Sequence, residues 1–311
     1  MMQYVQSFIR YIGEEKGLSR STLESYERDL LQFLEFVERQ GIQSAKEIKK
    51  IHISMYMNEM KSQNFASSTL TRKLVSLRSF FHYMVKESLL EHDPTLYMET
   101  PKLEKKVPHV LTVEQVESLL AVPDITTPPG LRDKAMLEVL YATGMKVSEL
   151  TALNLYDVNP DLKFIRCTSS SGKERVLPIT SMAAEAVGTY IRQMRPKLAK
   201  EPEERGLFLN NLGTRLTRQG FWKILKKYAA ESGISEGITP HTLRHSFAAH
   251  LLEDGADIRS VQEMLGHSDL SIAPLYGALT KKAMKDVYEN HHPRERAYST
   301  HLKERSMHDN N

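Results

Sequence analysis

Apolar residues recur at helical spacing through the first hundred residues of the chain. The apolar positions lie three or four residues apart, a repeat that places their side chains on one face of an α-helix. In the first two helices these positions are Tyr4, Val5, Phe8, Ile9 and Ile12, then Leu23, Tyr26, Leu30, Phe33, Leu34 and Val37. Gly17 and Gly41 follow the two patterns as stop signals, and Ser19 or Ser21 can cap the second helix. Two further helices at about 45–60 and 68–87 complete a predicted small helical bundle.

A polar, proline-rich stretch separates this pattern from the remainder of the chain. Residues 93–108 hold three prolines and several charged residues, which break helices and favour extended backbone. We therefore predict an N-terminal helical domain at 1–92 and a linker at 93–108. A second domain is expected at 109–293, followed by a polar tail at 294–311.

The second domain is predicted to be mainly helical with one β-hairpin. Residues 162–168 and 174–179 indicate two strands, and the Ser-Ser-Ser-Gly run between them favours a turn. Helices are predicted from Thr112, from about 131 to Gly144, and at about 147–153, 181–195, 215–231, 240–253, 257–264 and 280–290. The expected fold class is therefore mainly α with a small β-hairpin or sheet, an α+β arrangement in the second domain.

Composition places the chain among globular proteins and excludes several other classes. The 311 residues are 41% hydrophobic and 26% charged, which excludes disordered and fibrous classes. No apolar run reaches the length of a membrane span, and the N-terminus lacks a signal-peptide pattern. The single cysteine, Cys167, excludes a disulfide within the chain and fits a reducing cytoplasm. The net charge of +3 neither requires nor excludes binding to nucleic acid.

The densest group of chemically useful side chains lies in residues 239–252. Thr239 can cap a helix there, and Pro240 suits its first position. His241 and Arg244 are three residues apart, so they share a face close to the helix N-terminus. An imidazole and a guanidinium in that place form an anion site. These residue types fit a capped surface helix with incidental polar side chains equally well.

A zinc site is a weaker alternative for the same helix. His241 and His245 have the four-residue spacing of a zinc-binding helix. The metalloprotease motif requires glutamate directly after the first histidine, and Thr242 stands there. No cysteine or carboxylate cluster offers a third ligand, so we predict no metal and disfavour a metal-dependent hydrolase.

Further motifs follow in the C-terminal half. His241-x-x-Arg244 is followed by Leu265-Gly-His267 and, nine residues later, by Tyr276. Upstream, the sequence ATGMKVSEL occupies 142–150. Together these motifs resemble the tyrosine recombinase and integrase family, in its Xer-like branch. EKGLS and SYERDL near the N-terminus resemble the family's core-binding domain, so the resemblance covers about residues 2–293.

The resemblance implies that the chain cuts and rejoins DNA as a site-specific recombinase or integrase. Family members attack a phosphodiester with a tyrosine hydroxyl, which leaves a 3′-phosphotyrosyl link and a free 5′-hydroxyl. A second 5′-hydroxyl reverses the step, and no cofactor is implied. At the positions that match the family's motif, Tyr276 would be the nucleophile and Arg244 would bind the phosphate. His241 and His267 would supply hydrogen bonds and acid–base groups. Glu149 matches an acidic residue with a supporting role.

Two positions depart from the family pattern. The family has arginine where this chain has Lys146, which keeps the charge but lacks the planar fork. The family's catalytic lysine of the hairpin falls on Ser170. Lys173 matches a different lysine, one expected to contact DNA. The departures leave open a second hypothesis, a catalytically impaired member that binds DNA or a recombinase partner and regulates.

The resemblance also implies partners. It predicts two domains in a C-shaped clamp around double-stranded DNA, and a homo- or hetero-tetramer on paired DNA sites. Arg72, Lys73 and Arg78 are candidate phosphate contacts in the first domain, although a solvated helix face explains them equally well. The segment Lys281–His291 is expected to dock into a neighbouring protomer through apolar positions at helical spacing, namely Ala283, Met284 and Val287.

Overall fold

The chain divides into two units, Met1–Lys106 and Val107–Asn311, each with its own hydrophobic core. The computed structural model describes residues 1–100, 109–169, 172–234, 237–266 and 292–294. No helix among these residues is both long enough and apolar enough to cross a membrane.

The first unit, as far as it is described, contains four α-helices: α1 (Met2–Glu14), α2 (Arg20–Arg39), α3 (Lys50–Ser62) and α4 (Ser67–Lys86). Ser19 caps α2 by accepting a hydrogen bond from the Thr22 N–H at 3.3 Å. Gly17 and Gly41 adopt the left-handed conformation after α1 and α2, which suits their predicted role as stops. Helix α3 begins later than predicted because Ala45–Glu47 forms a separate 3₁₀ turn.

Aromatic side chains fill the core of the first unit. Phe33 packs edge-on against Tyr56 and Phe81, and Phe8 packs edge-on against Phe80. All five rings are almost fully buried. Edge-to-face packing adds stability to the burial of their apolar area. These contacts join all four helices into one bundle, as the apolar spacing predicts.

The described part of the second unit contains eight α-helices, of which α6 is the central one. They are α5 (Val113–Ala121), α6 (Pro128–Thr143), α7 (Val147–Ala152), α8 (Ser181–Thr189), α9 (Arg195–Leu198), α10 (Arg218–Glu231), α11 (Pro240–Glu253) and α12 (Ile258–Leu265). Helix α6 is buried along most of its length and packs against α8 and α11. A π-helical turn at Tyr190–Met194 joins α8 to α9, so the single helix predicted at 181–195 is interrupted. Thr217 caps α10, which therefore begins later than predicted.

A three-stranded antiparallel sheet lies beside these helices. Its strands are β1 (Val158–Asn159), β2 (Phe164–Thr168) and β3 (Glu174–Pro178), in the order β1-β2-β3. Ile165 pairs with Leu177, and both side chains face the core. The predicted hairpin is present, and the short strand β1 adds an edge that no pattern predicted. The predicted fold class, mainly helical with a small sheet, is confirmed.

The end of the second unit corrects one expectation. Arg294, predicted to begin a polar tail, is buried and forms an ion pair with Glu138, whose side chain is 1% exposed. Lys134 also lies 3.0 Å from Glu138. His292 is buried beside Tyr141 and lies 3.2 Å from its carbonyl oxygen. A buried carboxylate requires cationic partners, so Arg294 belongs to the packed unit.

Candidate active site

An open cleft of about 640 Å³ lies where α7, α10 and α11 begin. Lys146 lines this cleft together with His241 and Arg244, which lie almost a hundred residues further along the chain. Arg218 and Trp222 of α10 line its other side. The structure thus places three of the predicted site residues around one space, with cationic groups from three helices.

Arg244 is fixed in place by two backbone carbonyls. Its side chain is buried, with the residue only 2% exposed. The guanidinium donates to the carbonyl oxygen of Gly144 at 2.6 Å and to that of Leu265 at 2.8 Å. These carbonyls lie at the C-terminal ends of α6 and α12, where the helix dipole leaves partial negative charge. Arg244 is therefore oriented before any substrate binds.

Gly144 is required for this arrangement. It ends α6 in the left-handed conformation, with φ at 58°. A Cβ added there would lie 2.3 Å from a ring carbon of Phe247 and 2.9 Å from Leu265. Only glycine combines this φ angle with so close an approach. The glycine predicted to stop the helix thus also brings its carbonyl to Arg244.

Lys146 lies at the start of α7, two residues after Gly144. Its backbone N–H donates to Oε2 of Glu149 at 2.8 Å, which anchors the residue at the N-terminus of the helix. The residue is half-buried and lines the cleft. A lysine there places an ammonium with three donors and a dissociable proton at the wall of the site.

Glu149 is held as a carboxylate by three hydrogen bonds. Arg175 of β3 donates to its two oxygens at 3.0 and 2.8 Å, in addition to the bond from the Lys146 N–H. Burial by itself would raise the pKa of Glu149, but these hydrogen bonds outweigh it and lower the pKa below its usual value. The Nε–H of Arg175 donates a further hydrogen bond to the Met264 carbonyl oxygen at 3.0 Å.

No prediction from the sequence assigned this role to Arg175. A usable signal was present in the strand pattern. Arg175 lies two residues before Leu177, so the period of a strand places both on the buried face. A buried arginine needs a carboxylate or carbonyl partner. That requirement pointed to the acidic residue of the upstream motif, Glu149.

The first turn of α11 is capped as predicted. Thr239 accepts a hydrogen bond from the Thr242 N–H at 3.3 Å, and the Thr242 hydroxyl accepts one from the Thr239 N–H at 3.0 Å. His241 follows Pro240 in this turn and is exposed to the cleft. No group of three metal-binding side chains occurs within the described ranges. His267 and Tyr276 lie outside the described residues.

Lys173 lies at the turn of the β2–β3 hairpin. Its backbone N–H donates to the Ser169 hydroxyl at 3.1 Å, and its carbonyl accepts from the Ser169 N–H at 2.8 Å. The residue is exposed and does not line the cleft described above. Ser170 is outside the described residues.

The three cations predicted for DNA contact in the first unit have different surroundings. Lys73 is only 2% exposed, pairs with Asp29 at 3.4 Å and lies 3.2 Å from the Tyr56 hydroxyl. Burial lowers the pKa of Lys73, although Asp29 opposes the shift. The expectation that Lys73 contacts DNA is therefore wrong, because its ammonium is buried and pairs with Asp29. Arg72 is partly exposed and also pairs with Asp29.

Arg78 is the third of these cations and lies within α4. Its guanidinium donates to the Thr100 hydroxyl at 2.6 Å and to the carbonyl of Met98. The residue is partly buried. Arg78 therefore ties the segment after α4 back onto that helix.

Comparison with known proteins identifies the family to which the chain belongs. The phage integrase family profile matches residues 109–283, and that of the phage integrase N-terminal SAM-like domain matches residues 5–88. The chain is 46% identical over 291 residues to tyrosine recombinase XerD of Halalkalibacterium halodurans, covering 93% of this chain and 97% of that protein. It is 44% identical over 297 residues to tyrosine recombinase XerD of Listeria monocytogenes, covering 94% and 100%.

Two solved structures share the fold. XerH site-specific recombinase bound to difH substrate, in a pre-cleavage complex, has a TM-score of 0.69 and 20% identity, covering 92% of this chain and 94% of that chain. The Tn1549 transposon integrase in complex with circular intermediate DNA has a TM-score of 0.70 and 21% identity, covering 92% and 97%. By its domain matches and its identity to these relatives, the chain belongs to the phage integrase family of tyrosine recombinases, in its Xer-like branch.

Proposed function

We propose that the protein is a site-specific DNA recombinase that cuts and rejoins strands through a 3′-phosphotyrosyl intermediate. The observation that carries the proposal is the meeting of Lys146, His241 and Arg244 in one cleft, with Arg244 fixed by two carbonyls. The identity of 44–46% to proteins named tyrosine recombinase XerD supports it.

The chemistry follows from what each side chain can do. The Tyr276 hydroxyl attacks the phosphorus, and the 5′-oxygen of the DNA leaves. The transition state carries extra negative charge on the phosphoryl oxygens, so donors fixed beforehand lower the barrier most. Arg244 is such a donor, and its planar fork suits phosphate oxygens. His241, and His267 by resemblance, supply hydrogen bonds and proton transfer.

The exposed side of α10 supplies charge for binding DNA beside the cleft. Arg218, Lys223 and Lys226 are all exposed along this helix. Trp222 is 44% exposed, and the Lys226 ammonium lies 4.2 Å from its ring centroid. Cations of this kind hold the phosphate backbone and set the position of the protein on the duplex. They support double-stranded DNA as the partner of this cleft.

The assembly is proposed from the resemblance. Four protomers, alike or of two kinds, act on paired sites in double-stranded DNA. The segment 281–291 of one protomer docks on its neighbour. Its apolar positions need a partner surface, which supports this part of the proposal.

Covalent trapping tests the activity. The protein is incubated with genomic DNA of its source, denatured with detergent, and scored for protein–DNA adducts, whose DNA is sequenced to recover the site. We expect adducts from the natural protein and none from Tyr276→Phe. A second variant carries Lys146→Arg with Ser170→Lys. Adducts from that variant alone would show that these two positions had silenced the chemistry, which is the outcome expected of an impaired regulator.

A further inference from the structure

Two of the cations that line the cleft differ in what they can donate. Arg244 carries a guanidinium that keeps its protons at any accessible pH, whereas Lys146 carries an ammonium that can release one. Strand cleavage needs more than positive charge. The 5′-oxygen leaves as an alkoxide unless it receives a proton, and an alkoxide is a poor leaving group. A dissociable proton in the cleft therefore has a specific use.

We propose that Lys146 is the general acid that protonates the departing 5′-oxygen of the DNA. This inference rests on the proposed function. In the cleavage step, the Tyr276 oxygen bonds to phosphorus and the phenol proton passes to the imidazole of His241. The bond from phosphorus to the 5′-oxygen breaks, and that oxygen takes a proton from the Lys146 ammonium. Lys146 ends neutral and His241 ends charged, and the rejoining step returns both protons.

The contacts around Lys146 suit this role. Its backbone N–H is anchored to Glu149, so the flexible stem starts from a fixed point at the cleft wall. Both oxygens of Glu149 accept hydrogen bonds from Arg175 at 3.0 and 2.8 Å. The negative charge of this carboxylate is thus matched by the guanidinium of Arg175.

Other groups fit the role less well. Arg218 and Arg244 line the cleft but hold their protons too tightly. His241 is exposed in the first turn of α11, where an uncharged imidazole can accept the phenol proton. Lys173 lies at the hairpin turn and does not line the cleft. Ser170, at the position where the family has a lysine, has a hydroxyl, which is a far weaker acid than an ammonium.

A leaving-group substitution separates proton donation from charge stabilisation. Two duplexes carry the site recovered by genomic trapping, and they differ only in a sulfur replacing the bridging 5′-oxygen at the cleaved phosphate. A thiolate leaves without a proton. Lys146→Arg keeps the positive charge but cannot act as an acid. We expect it to slow cleavage of the oxygen duplex by about 10²-fold or more. On the sulfur duplex we expect it to cleave within a few-fold of the natural protein.

The same variant on the sulfur duplex is its own folding control. Lys173→Ala is the comparison variant, and any loss that it causes should be equal on both duplexes. Two results would overturn the inference: Lys146→Arg cleaving the oxygen duplex as fast as the natural protein, or equally slow on both duplexes. Recovery by sulfur in Lys173→Ala would assign the acid to the hairpin lysine instead. Absence of any Tyr276-dependent adduct from the natural protein on either duplex would reject the proposed function itself.

Discussion

Arg175 donates two hydrogen bonds, of 3.0 and 2.8 Å, to the carboxylate of Glu149. These bonds join strand β3 to the start of α7, where Lys146 lies. The same guanidinium donates to the carbonyl of Met264 at 3.0 Å. The next carbonyl along the chain, that of Leu265, accepts from Arg244. One partly buried arginine therefore sets the relative positions of the hairpin, the start of α7 and the end of α12.

The contributions of Arg175 and Glu149 to the free energy of unfolding should depend strongly on each other. Arg175→Met and Glu149→Gln each leave a buried polar group without its partner, and we expect each to lower the free energy of unfolding by about 3 kcal/mol. The double variant should lose clearly less than the sum of the two. Urea denaturation of all four proteins measures the coupling. Additive losses would show that the two side chains do not depend on each other.

Gly144 should tolerate no side chain. Gly144→Ala forces a left-handed alanine into contact with Phe247, and the shift that relieves the contact moves the carbonyl that holds Arg244. We expect a lower melting temperature and slower DNA cleavage. The matched control is Gly233→Ala, since Gly233 has φ at 74° and a Cβ there would meet no described atom within 4 Å.

The control should show the backbone cost alone, about 1 kcal/mol. Gly144→Ala should cost clearly more than that, because the contact with Phe247 adds to the same strain. Thermal denaturation compares the two variants, and trapping on DNA compares their cleavage. Equal stability losses would mean that the contact with Phe247 relaxes at no cost.

His292 should make the second unit sensitive to acid. Burial lowers its pKa to about 3. Its Nδ1 accepts from the Arg294 N–H at 3.3 Å and its Nε2 lies 3.2 Å from the Tyr141 carbonyl, which fits a neutral ring. In the unfolded chain a histidine has a pKa near 6.5. Between these two values the unfolded state binds a proton that the folded state does not.

The stability contributed by a neutral His292 is complete above about pH 6.5 and is lost as the pH falls below it, by up to about 1.4 kcal/mol per pH unit. Urea denaturation at several values from pH 7.5 to 4.5 measures the slope. His292→Gln keeps a hydrogen-bond donor for the Tyr141 carbonyl and should reduce the slope of stability against pH. Burial also lowers the pKa of His250, which leaves a residual slope in both proteins. Identical slopes in the two proteins would contradict the assignment.

Lys73 and Arg78 should differ in their effect on DNA binding. Lys73→Ala leaves the buried Asp29 with Arg72 alone, so we expect the first unit to lose about 3 kcal/mol of stability. The salt dependence of DNA affinity should stay unchanged in that variant. Arg78→Ala should reduce the slope of log affinity against log salt by about one, as loss of a phosphate contact does. Titrations of DNA at several salt concentrations give both slopes. A reduced slope for Lys73→Ala would show that Lys73 contacts a DNA phosphate after all.

The segment 281–291 should support cooperation between protomers. Truncation after residue 280 is unsuitable, because it would also remove His292 and Arg294, which are packed in the second unit. Met284→Asp with Val287→Asp removes two of the three apolar positions and leaves His292 and Arg294 in place. We expect weaker cooperative binding to paired DNA sites and unchanged affinity for a single site, measured by gel shift. Unchanged cooperativity would reject docking through these residues.

Features that depend on neighbours along the chain were predictable. Apolar spacing located the helices of both units, and Ser19, Thr239 and Gly144 marked their ends. Strand alternation located β2 and β3. The run from His241 to His267 identified the family. In these cases, a few adjacent residues decide between helix, strand and turn through local sterics and hydrogen bonding.

Features that depend on distant residues required the folded chain. Strand β1 has two residues, too few to form a pattern, and exists because β2 lies beside it. The charge of Lys73 favoured an exposed position, whereas the folded chain buries it with its ammonium 3.4 Å from Asp29. The bond from Arg175 to Glu149 spans 26 residues. A charged side chain is stable inside a protein only where an opposite charge meets it, and tertiary packing decides where that occurs.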